Sequence, residues 1–507
     1  MKSKAHNLKD LLSGIIDAPP IKYNNICDDS RYVDKGTVFF AVKGLSSDGC
    51  DFIESAINSG ACAVVYEPPY DLTNIETSVP TIAVEDLKLE ISKIASRHYE
   101  SSINEMNIIG VTGTNGKTTV SWLIHQGFKK IGYKSGYIGT LGYGIENLNL
   151  NELTTPSCMK LHKILSEFQN SGVEHVVMEI SSHAIDQRRI EGINFNTVIF
   201  TNLSRDHIDY HGTMENYGET KAKLFLETKS KIKIININDS FGRSLVERVD
   251  GEVISTSIEP INNEVDKFTY VTNYETNGSG FDIDLKSSWG DFKTHVPFLG
   301  KFNIENFIQA IALFLSLGFS LSKIQEIIED MRTPSGRMEL VDLGKLTIFP
   351  PYFRYASLLP KVLVDFSHTP DALKLSLQSI RNHYDGKIWC IFGCGGDRDI
   401  GKRKMMGKIA EQYADYVIVT SDNPRNENPK KIISDILEGI SIEVETIVNR
   451  EEAINFAIMK ADKNEIILVA GKGHESYQKI GKETLDFSDH KVSKSSLLRR
   501  LRKIAND

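Results

Sequence analysis

Short apolar runs rich in β-branched residues alternate with helical patterns along most of the chain. Each run is followed by a turn of glycine or polar residues, a pattern typical of βα units with buried parallel strands. Parallel strands bring their carboxyl ends to one edge of the sheet, where ligands usually bind. The runs predicted to be strands are 107–112, 175–180, 197–201, 232–237, 362–365, 387–392, 416–420 and 465–470.

Two breaks divide this pattern into three predicted domains. The strand at 107–112 leads into a glycine-rich loop and a helical pattern over 117–130, so a nucleotide-binding unit starts near residue 106. At 333–336 a helical stretch ending around Arg332 meets a Thr-Pro-Ser-Gly turn. We therefore predict an α/β fold of three domains. These are a small N-terminal α/β domain (1–105), a central P-loop ATPase-like domain with a mostly parallel sheet (106–333) and a C-terminal Rossmann-like doubly wound domain (334–507).

Composition and charge narrow the class of protein. The 507 residues are too many for one core at roughly 150 residues per domain. A net charge of -8 gives no overall attraction for nucleic acid or an anionic membrane. The chain has no signal-peptide pattern, no apolar run of about 18 residues and no C-x-x-C pair among its six cysteines. We expect a cytoplasmic protein with no membrane span, no disulfide framework and no nucleic-acid partner.

The strongest local signal is the loop Gly113-Thr-Asn-Gly-Lys-Thr118, which directly follows a predicted strand. Its glycines let backbone N–H groups close around phosphate oxygens, Lys117 adds a cation and Thr118 can bind Mg²⁺. Val111 stands where the general eight-residue phosphate-loop pattern has its first glycine. The alternative is a purely structural strand-turn-helix, but such a turn gives few other reasons for the Lys-Thr pair.

Two further strand ends carry titratable side chains. Glu179 ends one strand, and the polar segment 201–212, which includes His207, follows the next. At the shared edge of a parallel sheet both are candidates for a metal site. The alternatives are a capping role for Glu179 and a structural role for His207. Taken alone, Lys221 and Lys223 on the helical pattern that follows would be a solvated face.

The motifs resemble, in content and order, those of the Mur ligase family, the ATP-dependent amide ligases of peptidoglycan precursor synthesis. The resemblance spans essentially the whole chain and implies ATP and Mg²⁺ as cofactors, small-molecule substrates and a monomer. Its members most similar to this chain add meso-2,6-diaminopimelate to UDP-N-acetylmuramoyl-L-alanyl-D-glutamate through an acyl phosphate. The segments that carry the resemblance are 113–118, 202–209, 300–306 and 365–370.

The resemblance also implies residue roles. Lys117, Lys221 and His207 would be catalytic. The residues that would contact ATP are Gly113, Thr114, Asn115, Gly116, Lys117, Thr118, Thr119, Asn303, Asn306 and Arg337. The residues that would contact the UDP-muramoyl-dipeptide are Ser30, Thr154, Thr155, Ser181, Gln187 and Arg189. The metal ligands would be Thr118, Glu179, His207 and Lys221 as its carbamate.

The carbamate follows from a tyrosine–lysine spacing in the family. There, the modified lysine lies four residues after a tyrosine, so Tyr217 selects Lys221 over Lys223. Carbamylation turns a cationic amine into an anion that could orient a second Mg²⁺ beside the transferred phosphate.

Three strand-end loops of the C-terminal domain resemble the family's amino-acid site. Members with an Asp-Asn-Pro-Arg tetrapeptide use meso-diaminopimelate, whose distal carboxylate Arg398 and Arg425 could clamp, whereas lysine-adding relatives usually lack that arginine. By itself the tetrapeptide could be an ordinary Asn-Pro turn. The candidate diaminopimelate-binding residues are Arg398, Asp422, Asn423, Pro424, Arg425, Gly471 and Glu475.

Three other functions remain as alternatives. A lysine-adding ligase is disfavoured by Arg425, and a folylpolyglutamate synthase by Ser30 with Thr154 and Thr155. A nucleotide-dependent switch ATPase would hydrolyse ATP without any amino acid. The aromatic, Pro-rich segment 349–355 looks inserted relative to the family; it could be a partner contact, but we expect a surface loop.

Overall fold

The computed structural model describes residues 6–44, 48–72, 78–99, 105–151, 153–261, 267–277, 280–328, 331–344 and 353–506. The chain divides into two compact units, one reaching to Thr256 and the other running from Phe268 onward. Among the residues so described, no helix combines the length and apolar character needed to cross a membrane.

The first unit begins with a parallel four-stranded sheet in the order β3-β4-β5-β6. All five residues of its second strand, 37–41, are buried, because alternate side chains enter cores on opposite faces. Val38 and Phe40 pack on one side, and Phe39 and Ala41 on the other. The elements are β1 (His6–Asn7), α1 (Leu8–Leu11), β2 (Lys22–Tyr23), β3 (Asn25–Cys27), β4 (Thr37–Ala41), α2 (Ile53–Asn58), β5 (Ala61–Tyr66), β6 (Thr81–Ala83) and α3 (Leu87–Tyr99), with 3₁₀ turns at Ser30–Tyr32 and Gly49–Phe52.

A second sheet completes the first unit, with strand order β10-β9-β8-β11-β7-β12-β13-β14. From β8 to β14 every pair for which a register is described is parallel, so the loops after these strands meet at one edge. The elements are β7 (Asn107–Thr112), α4 (Lys117–Ile131), β8 (Ser135–Gly139), β9 (Gly142–Gly144), β10 (Leu148–Asn149), α5 (Cys158–Asn170), β11 (His175–Glu179), α6 (Ser182–Asp186), β12 (Thr197–Phe200), α7 (Ile208–His211), α8 (Met214–Leu226), β13 (Ile232–Asn236), α9 (Ser240–Val246) and β14 (Glu252–Ser257).

The second unit contains an antiparallel meander and a doubly wound sheet. The sheet has the order β18-β19-β23-β20-β21-β22, with only β18 antiparallel to its neighbour. The elements are β15 (Lys267–Asn277), β16 (Gly280–Ser287), β17 (Phe292–Val296), α10 (Lys301–Ser316), α11 (Leu321–Ile328), β18 (Glu339–Leu340), α12 (Phe353–Ala356), β19 (Lys361–Asp365), α13 (Pro370–His383), β20 (Ile388–Phe392), α14 (Gly401–Tyr413), β21 (Tyr416–Val419), α15 (Pro429–Leu437), β22 (Glu445–Thr446), α16 (Arg450–Lys460), β23 (Ile466–Ala470), β24 (Tyr477–Ile480), β25 (Glu483–Asp486) and α17 (Asp489–Asn506).

All eight predicted strands are confirmed to within one residue at each end, and the predicted helix at 117–130 ends at Ile131. The helix expected to end around Arg332 is described only to Ile328. Of the inserted segment, 349–352 lies outside the described residues. Its remainder opens the short helix α12, where Tyr355 packs against an apolar core cluster of the second unit.

Three histidines, two of them buried and one half-buried, should make stability depend on pH. Burial lowers the pKa of His125, His162 and His175 from 6.5 to about 4. Between these values the unfolded chain binds more protons than the folded chain, so stability is full above pH 6.5 and falls as the pH drops towards 4. We expect the urea midpoint, followed by fluorescence, to fall over this window. His125→Gln should show a smaller fall than the wild type, and equal falls would contradict the assignment.

Candidate active site

The glycine-rich loop is fixed against the end of β12. Gly113 has φ of +146°, and a Cβ added there would lie 1.9 Å from Thr201 Oγ1. Thr201 Oγ1 donates to the carbonyl of Asn115 at 2.6 Å, and the Asn115 N–H donates to Asn202 Oδ1 at 2.9 Å. Gly116, also at positive φ, caps the first turn of α4. The loop therefore has the backbone conformation and helix N-terminus that suit a phosphate group.

Two lysines donate to the same carbonyl of this loop. Lys117 Nζ lies 2.9 Å and Lys221 Nζ 2.8 Å from the oxygen of Gly113. Lys221, on α8, is 1% exposed and lies over the ring of Tyr217. Burial, reinforced by the charge of Lys117, holds the pKa of the Lys221 amine well below its usual range. The structure thus brings together the two lysines that the sequence singled out.

Glu179 is a fully buried carboxylate at the end of β11. Its Oε1 accepts from Tyr137 Oη at 2.5 Å and from the Thr140 N–H at 2.9 Å. Its Oε2 accepts from the hydroxyls of Thr118 at 2.8 Å and Thr140 at 3.1 Å. The predicted metal ligands Thr118 and Glu179 are therefore in direct contact.

His207 lies at the start of α7 with φ of +53°. Its Nε2 is 3.4 Å from Asp206 Oδ2, and its ring centroid is 4.7 Å from that of His183. Burial lowers the pKa of His207, and the charges of Lys117 and Lys221 act in the same direction. His207 therefore lies within electrostatic range of both lysines.

The side chains at the carboxyl edge of this sheet provide part of a possible Mg²⁺ site. Thr118 and Glu179 offer the oxygen ligands that Mg²⁺ prefers, and the two groups lie 2.8 Å apart. In the part of the chain that the structure describes, no three His, Cys, Asp or Glu side chains form a metal cage. In many phosphate-transferring sites Mg²⁺ is held by one or two protein groups together with substrate phosphates.

A second group of predicted residues surrounds Thr155. Its hydroxyl donates to the carbonyl of Glu179 at 2.8 Å and accepts from the Ser181 N–H at 3.1 Å. Arg189 Nη1 donates to the carbonyl of Thr155 at 3.0 Å, and the same guanidinium donates to Gln187 Oε1. Four of the six residues predicted to contact the UDP-muramoyl-dipeptide are thus one hydrogen-bonded group beside Glu179.

The other two residues of that prediction, Thr154 and Ser30, lie in different places. Thr154 Oγ1 is 3.2 Å from Thr140 Oγ1, which joins it to Glu179 and the three residues that donate to its side chain, Thr118, Tyr137 and Thr140 (the Glu179 group). Ser30 opens the 3₁₀ turn of the N-terminal sheet, and two residues earlier Asp28 accepts from Ser157 Oγ at 3.3 Å. Ser30 has no described contact with Thr155 or Arg189.

In the second unit, three strand-end loops meet at the carboxyl edge of the sheet. Asn423 Nδ2 donates to Glu475 Oε2 at 2.8 Å, and the buried Lys472 donates to both Asn423 Oδ1 and Glu475 Oε2. Arg425 Nη1 donates to the carbonyl of Gly396 at 2.7 Å. A Cβ added at Gly395 would lie 2.8 Å from that same Nη1 and 3.7 Å from Arg398 Cγ, so the two arginines flank one glycine.

Two further members of this prediction are held at the same edge. A Cβ added at Gly471 would lie 2.7 Å from Asp422 Oδ2, and the carbonyl of Asp422 accepts from Gln478 Nε2 at 2.6 Å. Pro424 is buried between Asn423 and Arg425. The loops that carry the seven predicted residues therefore meet in one region of the second unit.

Asn303, Asn306 and Arg337 also belong to the second unit. Asn303 and Asn306 are buried on one face of α10, where Asn306 Nδ2 donates to Asn303 Oδ1 at 3.1 Å. The Arg337 guanidinium lies over the ring of Phe366 at 4.7 Å. Thr119 is buried in the first turn of α4, next to Thr118.

Three residues that hold the predicted side chains in place were not predicted from the sequence. Thr140, which binds both oxygens of Glu179, follows β8 as a polar residue at a strand end, and that signal could have identified it. Tyr137 lies inside a strand and gave no local signal. Lys472 lay within the glycine-rich segment 471–475 but was not selected.

Replacing Gly113 by alanine should disrupt phosphate binding. The methyl group would clash with Thr201 Oγ1, and the positive φ adds strain of about 1–3 kcal/mol. We expect affinity for ATP, measured by calorimetry, to fall about tenfold or more. Gly132→Ala is the matched control, because Gly132 also has positive φ but nothing within 4 Å. Equal losses of affinity in both variants would contradict the clash.

Three family models match the chain in succession. The model described as Mur ligase family, catalytic domain, matches residues 22–108, and that described as Mur ligase middle domain matches 111–314. The model described as Mur ligase, glutamate ligase domain, matches 355–473. The predicted three-domain α/β architecture is confirmed by this order. The exact boundaries at 105 and 333 stay predictions.

Similar proteins cover nearly the whole chain. A UDP-N-acetylmuramoyl-L-alanyl-D-glutamate--2,6-diaminopimelate ligase of Haemophilus influenzae is 38% identical over 95% of this chain and 98% of its own length. The ligase of the same name from Pseudomonas putida is 40% identical over 91% and 92%. A solved structure of a ligase of that name covers 98% of this chain and 99% of its own, at 31% identity and a TM-score of 0.67.

A more distant solved structure shares the fold. The MurF ligase of Thermotoga maritima in complex with ADP covers 94% of this chain and 97% of its own, at 17% identity and a TM-score of 0.62. With the phosphate loop, the Glu179 group and the second-unit loops arranged as described, these matches along the full length show that the chain belongs to the Mur ligase family.

Proposed function

We propose that the protein is an ATP-dependent ligase that joins meso-2,6-diaminopimelate to UDP-N-acetylmuramoyl-L-alanyl-D-glutamate, a step of peptidoglycan precursor synthesis. The observation that carries this proposal is that one chain contains both a set of residues suited to bind phosphate and a set suited to bind an amino acid. The first unit has a phosphate loop with Lys117, Lys221 and a buried carboxylate, and in the second the loops that carry Arg425 and Glu475 are joined through Asn423. Relatives at 38% and 40% identity that bear this activity in their names support it.

The first step activates a carboxylate. An oxygen of the D-glutamate γ-carboxylate attacks the γ-phosphorus of ATP, the bond to the β-phosphate oxygen breaks, and ADP leaves. Lys117 can exchange the loop carbonyls of Gly113 and Thr114 that it now contacts for phosphate oxygens. Together with the loop N–H groups it would stabilise the charge on the transferred phosphoryl group.

The metal site is proposed from the same contacts. Thr118, Glu179 and His207 would hold Mg²⁺, which supplies positive charge to the phosphates and orients them. Because its pKa is lowered, more of the Lys221 amine is neutral and able to react with CO₂, which forms the N–C bond of a carbamate with loss of one proton. The resulting anion would add a ligand beside Lys117.

The second step forms the amide. The amine of diaminopimelate attacks the carbonyl carbon of the acyl phosphate, phosphate leaves and the nitrogen loses a proton. Arg398 and Arg425 would bind the distal carboxylate, and Glu475 would bind the distal ammonium. Glu475 already accepts from Lys472 and Asn423, so its position is fixed before the substrate arrives.

Release of phosphate tests the activity. The purified protein with ATP, Mg²⁺ and the UDP-muramoyl-dipeptide should release phosphate only when meso-diaminopimelate is added, and L-lysine should give much slower release. Comparable turnover with lysine would overturn the amino-acid assignment. Release that needs neither substrate would overturn the ligase and favour a switch ATPase.

Loss of Lys221 should be reversed by a small anion. Lys221→Ala removes the carbamate and should lower kcat by about a hundredfold or more, because the transferred phosphate loses a positioned anion–metal contact. Formate, which can occupy the space left, should restore part of the rate. Lys223→Ala is the control, since Lys223 lies two residues away on the same helix and is exposed. No recovery with formate would count against the carbamate.

Loss of Arg425 should weaken selection of the amino acid. A charge-assisted hydrogen bond contributes about 1.5–3 kcal/mol, so Arg425→Ala should raise KM for diaminopimelate by about tenfold to a hundredfold. KM for ATP should stay nearly constant, and the preference over lysine should fall. Arg502→Ala, at an exposed position of α17, is the control. An unchanged KM for diaminopimelate would place the distal carboxylate elsewhere.

A further inference from the structure

Arg450 is buried beneath the loops proposed to bind the amino acid, and no substrate contact accounts for it. Its side chain is fully inaccessible, as is that of its partner Asp489. Nε and Nη2 donate to the two carboxylate oxygens of Asp489, each at 2.7 Å. Such a two-point pair fixes the plane of the guanidinium as well as its position.

The remaining donors of Arg450 reach the main chain of two strand ends. Nη2 donates to the carbonyl of Ala470 at 2.9 Å, and Nη1 donates to the carbonyl of Ser421 at 3.3 Å. Ala470 ends β23 and Ser421 follows β21, and these strands are not neighbours because β20 lies between them. Arg450 therefore connects the carboxyl ends of β23 and β21 across the end of β20.

The two bridged residues directly precede proposed substrate residues. Ser421 is followed by Asp422, and Ala470 is followed by Gly471. The negative charges of Asp422 and Glu475 also act on Arg450, so the guanidinium is electrostatically coupled to both loops. Movement of this one side chain would change the spacing between the loops.

Asp489 connects the bridge to the end of the chain. It is the first residue of α17, while Arg450 is the first residue of α16, and the two helices pack together. The pair thus fixes the starts of two helices relative to two loops. A change at Asp489 should therefore reach the loops through Arg450.

We propose that Arg450 and Asp489 are positioning residues for the amino acid substrate, setting the distance between the Asp422 and Gly471 loops. This inference rests on the proposed function, since it takes those loops as the diaminopimelate site. Arg450 would not touch the substrate. Its role is to keep the groups that do at a fixed separation, and small displacements of binding groups cost large factors in rate.

Steady-state kinetics of Arg450→Lys test the proposal. Lysine keeps the positive charge opposite Asp489 but cannot also reach both carbonyls. We expect KM for diaminopimelate to rise about tenfold or more, while KM for ATP and for the UDP-muramoyl-dipeptide changes by less than about twofold. Asp489→Asn should have the same selective effect, because the guanidinium loses its charged anchor.

A double variant guards against loss of folding. Arg450→Met with Asp489→Leu removes both charges together, and apolar replacement of a whole buried pair is often tolerated. It should fold, as judged by circular dichroism and thermal melting, and still show the raised KM for diaminopimelate. Because Arg450 and Asp489 act as a pair, the KM of the double variant for diaminopimelate should be close to that of the single variants.

The matched control is an arginine–aspartate pair at the opposite edge of the same sheet. Arg381 Nη2 donates to Asp415 Oδ2 at 2.5 Å, and Nη1 donates to the carbonyl of Gly386, so it joins the amino ends of β20 and β21. Arg381→Lys should leave all three KM values unchanged.

Two results would overturn the inference. The first is a folded Arg450→Lys variant whose KM for diaminopimelate is unchanged. The second is a variant in which kcat falls in proportion to the fraction of folded protein while no KM changes, because that result indicates a role in stability alone. A wild-type protein whose phosphate release does not depend on diaminopimelate overturns the proposed function, and the inference with it.

Discussion

The buried carboxylate of Glu179 is the interaction on which the nucleotide-binding half of the molecule depends. A carboxylate removed from water is costly unless hydrogen bonds replace its hydration. Here four donors from Thr118, Tyr137 and Thr140 surround it, while its main-chain carbonyl accepts from Thr155. One residue therefore joins the phosphate loop and the turn after β8 through its side chain, and the loop at Thr155 through its main chain.

In the second unit the corresponding buried charged group is a cation, the guanidinium of Arg450. Arg450 does for its loops what Glu179 does for those of the first unit, gathering main-chain and side-chain partners at the carboxyl edge of a parallel sheet. Both groups are buried and multiply hydrogen-bonded, so neither is free to adjust. Groups at the surface of each edge, such as Lys117 and Arg425, can then bind ligands from a rigid base.

Much of this arrangement was predictable because it is local. Apolar runs ending in polar residues identified the eight strands and the loops after them, and the parallel order that the patterns imply placed those loops on one edge. What local patterns could not supply is the identity of the supporting residues. Tyr137 reaches Glu179 only because β8 and β11 pair in a register that aligns Tyr137 with Val177.

Supporting contacts between distant parts of the chain were equally invisible in the sequence. Arg450 and Asp489 are separated by 39 positions and belong to different helices. Asp489 alone is an ordinary acidic residue at the start of a helix, where a negative charge is favourable. Arg450 alone gives no indication of its partner. Their pairing is a property of the packed helices, which no spacing rule encodes.

The shared acceptor at Gly113 has a thermodynamic consequence. Two lysine amines directed at one carbonyl oxygen repel each other whenever both are charged, and burial of Lys221 strengthens this repulsion. Loss of a proton from the Lys221 amine, or its conversion to the proposed carbamate, would remove this repulsion, so the shared acceptor favours those forms of Lys221 over the ammonium. The charge of Lys221 is therefore linked to phosphate binding, because a phosphate that draws Lys117 away from this carbonyl would also weaken the repulsion between the two amines.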